Sequence, residues 1–198
     1  MAGFIKRFGV VVLSATLGAM IATAGEHKPA NASPDPKEGF RAEMVGQLAF
    51  VEKRIEDLAA AMPAEKYSWR PGEGVRSVSE VYMHIVGANY LFMTFLGVKP
   101  PMKMDPAMET SVTDKTEIAG KFKPSFEHFR AAILGLSDKD LDKTTDMFGR
   151  ATTYRNVLVT AIAHLHEHLG QSIAYARMNG VVPPWTAAEQ AAPKKDAK

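Results

Sequence analysis

A long run of helical periodicity over residues 152–179 constrains this chain more than any other segment, and it carries three of the six histidines. Thr152 or Thr153 is expected to cap its start, and Gly180 is expected to close its end. Apolar residues recur along it at intervals of three and four, at Leu158, Ile162, Leu165 and Leu169. The segment therefore predicts a long helix with one buried side.

Three earlier segments have the same periodicity, over residues 37–61, 77–96 and 113–136. Pro124 is expected to kink or divide the third of them, because proline removes a helical hydrogen bond. The connection over residues 138–149 has the composition of polar turns, and no run of alternating strand residues occurs. Four helices of this length with short connections predict an all-α fold, a four-helix bundle.

The second segment starts at a capping box, Ser77-Val78-Ser79-Glu80, and is apolar on nearly all sides. A helix of this kind lies either at the centre of a bundle or in an interface between subunits. The sequence leaves both alternatives open, so a homodimer is one possibility.

The N-terminus has the layout of a secretory signal peptide. Lys6 and Arg7 precede an uncharged apolar run, and an Ala-Thr-Ala cleavage site follows at residues 22–24. The run is short for a membrane-spanning helix, which needs about 20 residues, although an uncleaved anchor is the alternative. We therefore expect an exported protein, periplasmic or secreted, without stable membrane insertion after cleavage.

These features predict four parts of the chain: a signal peptide over residues 1–24, a linker over 25–36, the bundle over 37–185 and a disordered polar tail over 186–198. Removing the signal peptide would leave 22 basic and 22 acidic residues. A chain with this charge balance has no strongly basic surface to propose, and we expect no nucleic-acid partner.

The histidines of the last helix indicate a metal site. Residues four apart lie on the same face of a helix, so His164 and His168 can point at a common ligand, whereas His166 faces away. His84 is the other histidine on a predicted buried face, and by itself it would be an ordinary hydrogen-bonded core residue. Three neutral imidazoles from two helices leave metal positions open for water or substrate, as in catalytic sites.

Other polar residues near these histidines have two possible roles each. Glu80 lies one turn before His84 and could orient a ligand or accept a proton as a catalytic group, or it could serve only the capping box. Gln171 and Tyr175 could face the site or make ordinary interior hydrogen bonds. His128 is expected at the surface.

Two segments carry a resemblance to a known family: SWRPGEGVRSVSEVYMHIVGANYLF, residues 68–92, and HLHEHLGQSIAYARMNGVVPPW, residues 164–185. They resemble the DinB/YfiT-like family in their Trp-x-Pro segment, in a serine-capped second helix with one histidine, and in a His-x-x-x-His-x-Gly-Gln fourth helix. The resemblance covers about residues 37–185. It implies a four-helix bundle, often dimeric, that binds a divalent metal ion such as zinc, nickel or iron through His84, His164 and His168.

The resemblance also indicates a class of activity. Characterised relatives include S-transferases and isomerases that use low-molecular-weight thiols, and some members are described as metal-dependent hydrolases. This chain has no cysteine, so a reacting thiol would be an external substrate. We therefore expect a metal-dependent enzyme of S-transferase or hydrolase type that acts on a small molecule. The alternative is a non-catalytic metal-binding or stress-associated module.

Overall fold

The computed structural model describes residues 36–192, so the predicted signal peptide, nearly all of the linker and residues 193–198 lie outside the described residues. The elements in chain order are α1 (Phe40–Ala61), α2 (Val78–Thr94), α3 (Met108–Ser111), α4 (Lys115–Gly135), β1 (Thr144–Met147), β2 (Arg150–Thr153), α5 (Tyr154–Met178) and α6 (Pro184–Ala191), with short 3-10 turns at Ala64–Lys66 and Asp138–Asp142. The four long helices are those predicted from the sequence.

The long helices pack as a four-helix bundle. Helix α1 contacts α4 and α5, and α2 contacts the same two helices, so α1 and α2 lie diagonally although they follow one another in the chain. Their fully buried residues form one core, which includes Leu48, Ile55, Ile85, Phe126, Phe129 and Leu158. The all-α, four-helix prediction is confirmed. Because α2 packs directly on α5, side chains from these two helices can form one site.

Side-chain caps explain where three of the four long helices begin. The Ser77 hydroxyl accepts a hydrogen bond from the backbone N–H of Glu80, and the Glu80 carboxylate accepts one from the backbone N–H of Ser77. Asp114 caps α4, and Thr153 caps α5 by accepting from the N–H of Asn156. The predicted capping box is therefore present, and Thr153 rather than Thr152 is the cap of the long helix.

The structure differs from the local predictions at three points. Residues 144–153 form an antiparallel hairpin rather than polar turns, because strands of four residues are too short to show an alternating pattern. Of the two alternatives for Pro124, division of the helix is excluded, because α4 continues through it. Residues 186–191 of the predicted disordered tail belong to helix α6, and residues 193–198 lie outside the described residues. Pro184 lies at the first helical position, where proline is favoured, and the Trp185 ring lies 4.6 Å from the Arg54 guanidinium carbon of α1.

Of the helices in the described part of the chain, none combines the length and the apolar character needed to cross a lipid bilayer.

Candidate metal centre

Three imidazoles meet where α2 packs against α5. His84 comes from α2, and His164 and His168 come from successive turns of α5. The Nε2 atom of His164 lies 3.0 Å from Nε2 of His84 and 3.1 Å from Nε2 of His168. His168 is buried, and the other two are half-buried. The structure thus brings together the three histidines that the sequence predicted as metal ligands.

A carboxylate holds the far nitrogen of His84. The Nδ1 atom of His84 lies 2.9 Å from Oε2 of Glu109, and the Arg76 Nε–H donates to Oε1 of the same carboxylate at 2.6 Å. Partial burial would raise the pKa of Glu109, but the hydrogen bonds from Arg76 and His84 outweigh it and lower the pKa. An ionised carboxylate can only accept, so Nδ1 of His84 carries a proton, and in the neutral ring its Nε2 presents a lone pair.

A second chain of hydrogen bonds determines the tautomer of His168. The backbone carbonyl of Arg76 can only accept, so the Tyr175 hydroxyl donates to it at 3.0 Å. That hydroxyl accepts from Nε2 of Gln171 at 2.9 Å, which turns Oε1 of Gln171 towards Nδ1 of His168 at 2.8 Å. The amide oxygen accepts, so Nδ1 of His168 is the donor. Its Nε2, like that of His84, presents a lone pair to the cluster.

His164 lies between these two lone pairs. Its Nδ1 is buried without a hydrogen-bond partner among the described residues, and its Nε2 faces both neighbouring imidazoles. Burial, together with the charges that His168, His84 and Arg76 can carry, lowers the pKa of His164 to about 4. Burial also lowers the pKa of His168. Neutral imidazoles with converging ring nitrogens are a donor set that divalent metals prefer, so these three residues could hold a metal ion.

A cleft of about 890 Å³ opens onto this cluster. His84, His164 and Glu109 line part of it, and its other wall residues come from α2, α3, α4, the loop before α3 and the tip of the hairpin. Most wall residues are apolar, and Lys103, Asp105 and Lys121 also line the cleft, so a small molecule in it would meet a mainly apolar surface.

The hydrogen bonds of Glu80 favour the capping-box role over the catalytic role that its sequence position also allowed. Its two oxygens accept from the Ser77 N–H at 2.7 Å and from the Arg70 guanidinium at 2.8 Å, which is the capping-box alternative. The carboxylate that contacts a cluster histidine is that of Glu109. Sequence reasoning missed Glu109 because it lies in α3, a helix of only four residues, which is too short to show helical periodicity.

The remaining histidines of the described bundle lie outside the cluster. His166 stacks on Phe50, with ring centroids 6.0 Å apart, on the other side of α5. His128 is half-buried against Tyr90 rather than at the surface, because α4 packs on α2 at that point. Burial lowers the pKa of His128.

Residues 47–172 match the family model of the DinB superfamily. The chain belongs to this superfamily. It is similar to the uncharacterised protein YjoA of Bacillus subtilis strain 168, with 28% identity over 127 residues, which is 63% of this chain and 80% of YjoA.

Solved structures of DinB-like proteins share the fold of this DinB superfamily member. A DinB-like protein from Bacillus cereus ATCC 10987 aligns with a TM-score of 0.64 and 24% identity, over 71% of this chain and 93% of that protein. The crystal structure of YjoA aligns with a TM-score of 0.57 and 26% identity over the same two shares. These comparisons confirm the resemblance found in the sequence, in both family and fold.

Proposed function

We propose that this protein is a metal-dependent enzyme that acts on a small molecule, and that His84, His164 and His168 hold a divalent ion such as zinc, nickel or iron. The observation that supports this most is the convergence of three Nε2 atoms beside a large cleft, which His84 and His164 line. Three imidazole ligands leave coordination positions for water or substrate, and the cleft provides access to them.

Three residues of the chain, Glu109, Gln171 and Phe92, would organise the site for such a reaction. Glu109 holds the Nδ1 proton of His84, and Gln171 holds that of His168, so both rings are oriented before any ligand arrives. The Phe92 ring packs against the His164 ring, with centroids 5.4 Å apart, and so gives that side of the site an apolar surface. A bound ion would supply Lewis acidity and lower the pKa of a water or thiol that it coordinates.

The reaction type that we propose is S-transfer from an external thiol or hydrolysis. The two differ in the nucleophile, and the chain has no cysteine to supply a thiol itself. Both types need neutral ligands and a binding pocket beside them, which the lowered pKa of His164 and the mainly apolar cleft walls support.

Metal content of the purified protein tests the proposed site. We expect about one zinc or nickel per chain by elemental analysis, and its loss in His84→Ala, His164→Ala and His168→Ala. His166→Ala is a matched control, since it removes an imidazole from the same helix on its other side. Stoichiometric metal that persists in all three cluster variants would refute the site.

Turnover assays separate the enzyme from a metal-binding module. Thiol consumption with reactive electrophiles tests S-transfer, and ester and amide substrates test hydrolysis. Activity that disappears with the metal and returns when it is restored supports the proposal. Bound metal without turnover in any of these assays would favour the non-catalytic module instead.

We also propose that the protein is exported and that the mature form starts near residue 25. The charged and apolar layout of residues 1–24 supports this. Cell fractionation and mass spectrometry of the mature N-terminus test it, and an intact N-terminus in the cytosolic fraction would contradict it.

We also propose a homodimer, on the apolar character of α2, and light scattering of the purified protein tests it.

A further inference from the structure

A strained phenylalanine lies at the tip of the hairpin. The strands close at the pair Met147 and Arg150, so Phe148 and Gly149 form a two-residue turn. Their φ angles are 56° and 79°, and Phe148 is the only non-glycine residue with a positive φ within residues 36–192. Turns with two positive φ angles favour Asn-Gly, because a bulky side chain is strained in this conformation. The turn itself therefore gives no reason for a phenylalanine.

Burial in the core does not explain a phenylalanine at position 148 either. Phe148 is 63% exposed, so most of its ring lies in solvent rather than in the core. The buried part of the ring contacts the side of α2, with centroids 4.9 Å from Phe95 and 6.2 Å from Phe92. A strained and exposed aromatic residue of this kind is typical of a functional position.

The position of Phe148 relative to the histidines indicates what this function is. Phe148 forms part of the cleft wall, and so does Phe92, whose ring contacts the ring of His164. An aromatic strip therefore runs from the hairpin tip to the candidate metal centre. A molecule with its reactive group at the histidines would place its body along this strip.

Apart from Lys103, Asp105, Lys121 and the residues at the histidines, most of the remaining cleft wall is apolar and matches an apolar body. Four methionines line it, namely Met83, Met102, Met104 and Met108. Methionine side chains are flexible and polarisable, and they pack favourably against aromatic rings of varied shape. A volume of about 890 Å³ is within the range of clefts that hold small organic molecules.

We propose that the cleft binds a substrate with an aromatic body and that Phe148 is a specificity-determining residue that packs on that body. Identifying this ligand as the substrate rests on the proposed function. Binding of the aromatic body itself depends on the cleft wall and requires no metal. The hairpin holds Phe148 over the cleft at the cost of a strained turn, and contact with the ligand explains why that residue is there.

Binding of the neutral aromatic probe N-phenyl-1-naphthylamine tests the inference. The probe is titrated by fluorescence into the full chain, metal-free and zinc-loaded. We expect one probe per chain in both forms, and about ten-fold weaker binding in Phe148→Asn because an aromatic contact is lost. Phe148→Tyr keeps an aromatic ring at this position and should therefore bind the probe with wild-type affinity. Met178→Asn is the matched control, since Met178 is also 63% exposed but does not line the cleft.

Thermal unfolding shows whether the loss is a folding defect. Asparagine suits the turn, so the unfolding midpoint of Phe148→Asn should lie no more than about 2 °C below that of the wild type. Wild-type probe affinity in Phe148→Asn would overturn the inference, and so would a loss of affinity that follows a lower midpoint. If Phe148→Asn instead converts a dimer into a monomer in sedimentation velocity, the cleft is an interface between copies and the ligand proposal is refuted.

The two proposals can fail separately. A chain that binds no metal but binds the probe through Phe148 would refute the proposed function and leave an aromatic-binding cleft. A chain that binds metal and turns over, with probe affinity and substrate KM unchanged in Phe148→Asn, would retain the function and refute the role of Phe148.

Discussion

Arg76 connects the two hydrogen-bond chains that orient the histidines. Its guanidinium binds Glu109, which holds His84, and its backbone carbonyl accepts from Tyr175, which orients His168 through Gln171. A substitution of Arg76 changes only the side chain. It should therefore loosen the hydrogen-bond chain that orients His84 (the His84 branch) and leave intact the chain that orients His168 (the His168 branch).

We expect Arg76→Met to weaken zinc affinity by about 10- to 100-fold, as is usual when a group that orients a metal ligand is removed. Competition with a chromophoric chelator measures this. Arg76→Met combined with Glu109→Ala should cost little more than either change alone, because both act on one branch. Arg76→Met combined with Tyr175→Phe should give additive losses. Additivity in both pairs would show that Arg76 does not act through Glu109.

Acid should destabilise the metal-free protein through the buried histidines. Unfolded histidines titrate near pH 6.5, whereas burial and neighbouring charges lower the pKa of folded His164 to about 4 and burial lowers that of His168. The unfolded state therefore binds more protons in this window, and stability falls as pH falls from about 6.5 towards 4.

Calorimetry of metal-free wild type and His164→Leu between pH 7 and 5 tests this. The unfolding midpoint should fall with pH in the wild type and fall less in the variant. Carboxylates with lowered pKa values, such as Glu80 and Glu109, lose their stabilisation only below about pH 4.5, outside the range measured. Equal slopes in the two proteins would contradict the prediction.

At the scale of the helix, Glu80 and Glu109 should behave differently when removed. Glu80 closes the capping box of α2 and pairs with Arg70, so Glu80→Ala should lower the free energy of unfolding by about 1 kcal/mol and leave zinc content unchanged. Glu109→Ala should weaken zinc binding with a smaller effect on metal-free stability. Urea unfolding and elemental analysis measure both. Loss of zinc in Glu80→Ala would instead indicate that Glu80 orients a ligand histidine, the alternative that its sequence position suggested.

The elements also show which structural features the sequence can predict. The long helices were predicted from their apolar periodicity. The starts of α2 and α5 were predicted because Ser77 and Thr153 cap them through hydrogen bonds to residues three positions later in the chain. The histidine triad was predicted because each member lies on a buried helical face. The hairpin, helix α6 and Glu109 of α3 were not predicted, because strands and helices this short show little periodicity. Their positions depend on packing against the long helices: the hairpin contacts α5, α3 contacts α2, and α6 contacts α1.

At the scale of the whole molecule, the proposed ion would join two helices whose ligands lie 80 residues apart in the chain. The unfolded chain does not hold these ligands together, so metal binding should favour the folded state. At a free zinc concentration 100 times the Kd, the gain is about 2.7 kcal/mol. For a domain of this length that gain corresponds to a rise of roughly 5–10 °C in the unfolding midpoint.

Differential scanning calorimetry with and without zinc measures this rise. His84→Ala removes the ligand from α2, so the two remaining ligands belong to α5 alone and most of the shift should disappear. His166→Ala should keep the full shift, since that imidazole stacks on Phe50 away from the cluster. A shift of wild-type size in His84→Ala would mean that zinc binds elsewhere and that the α2–α5 contact does not form the metal centre.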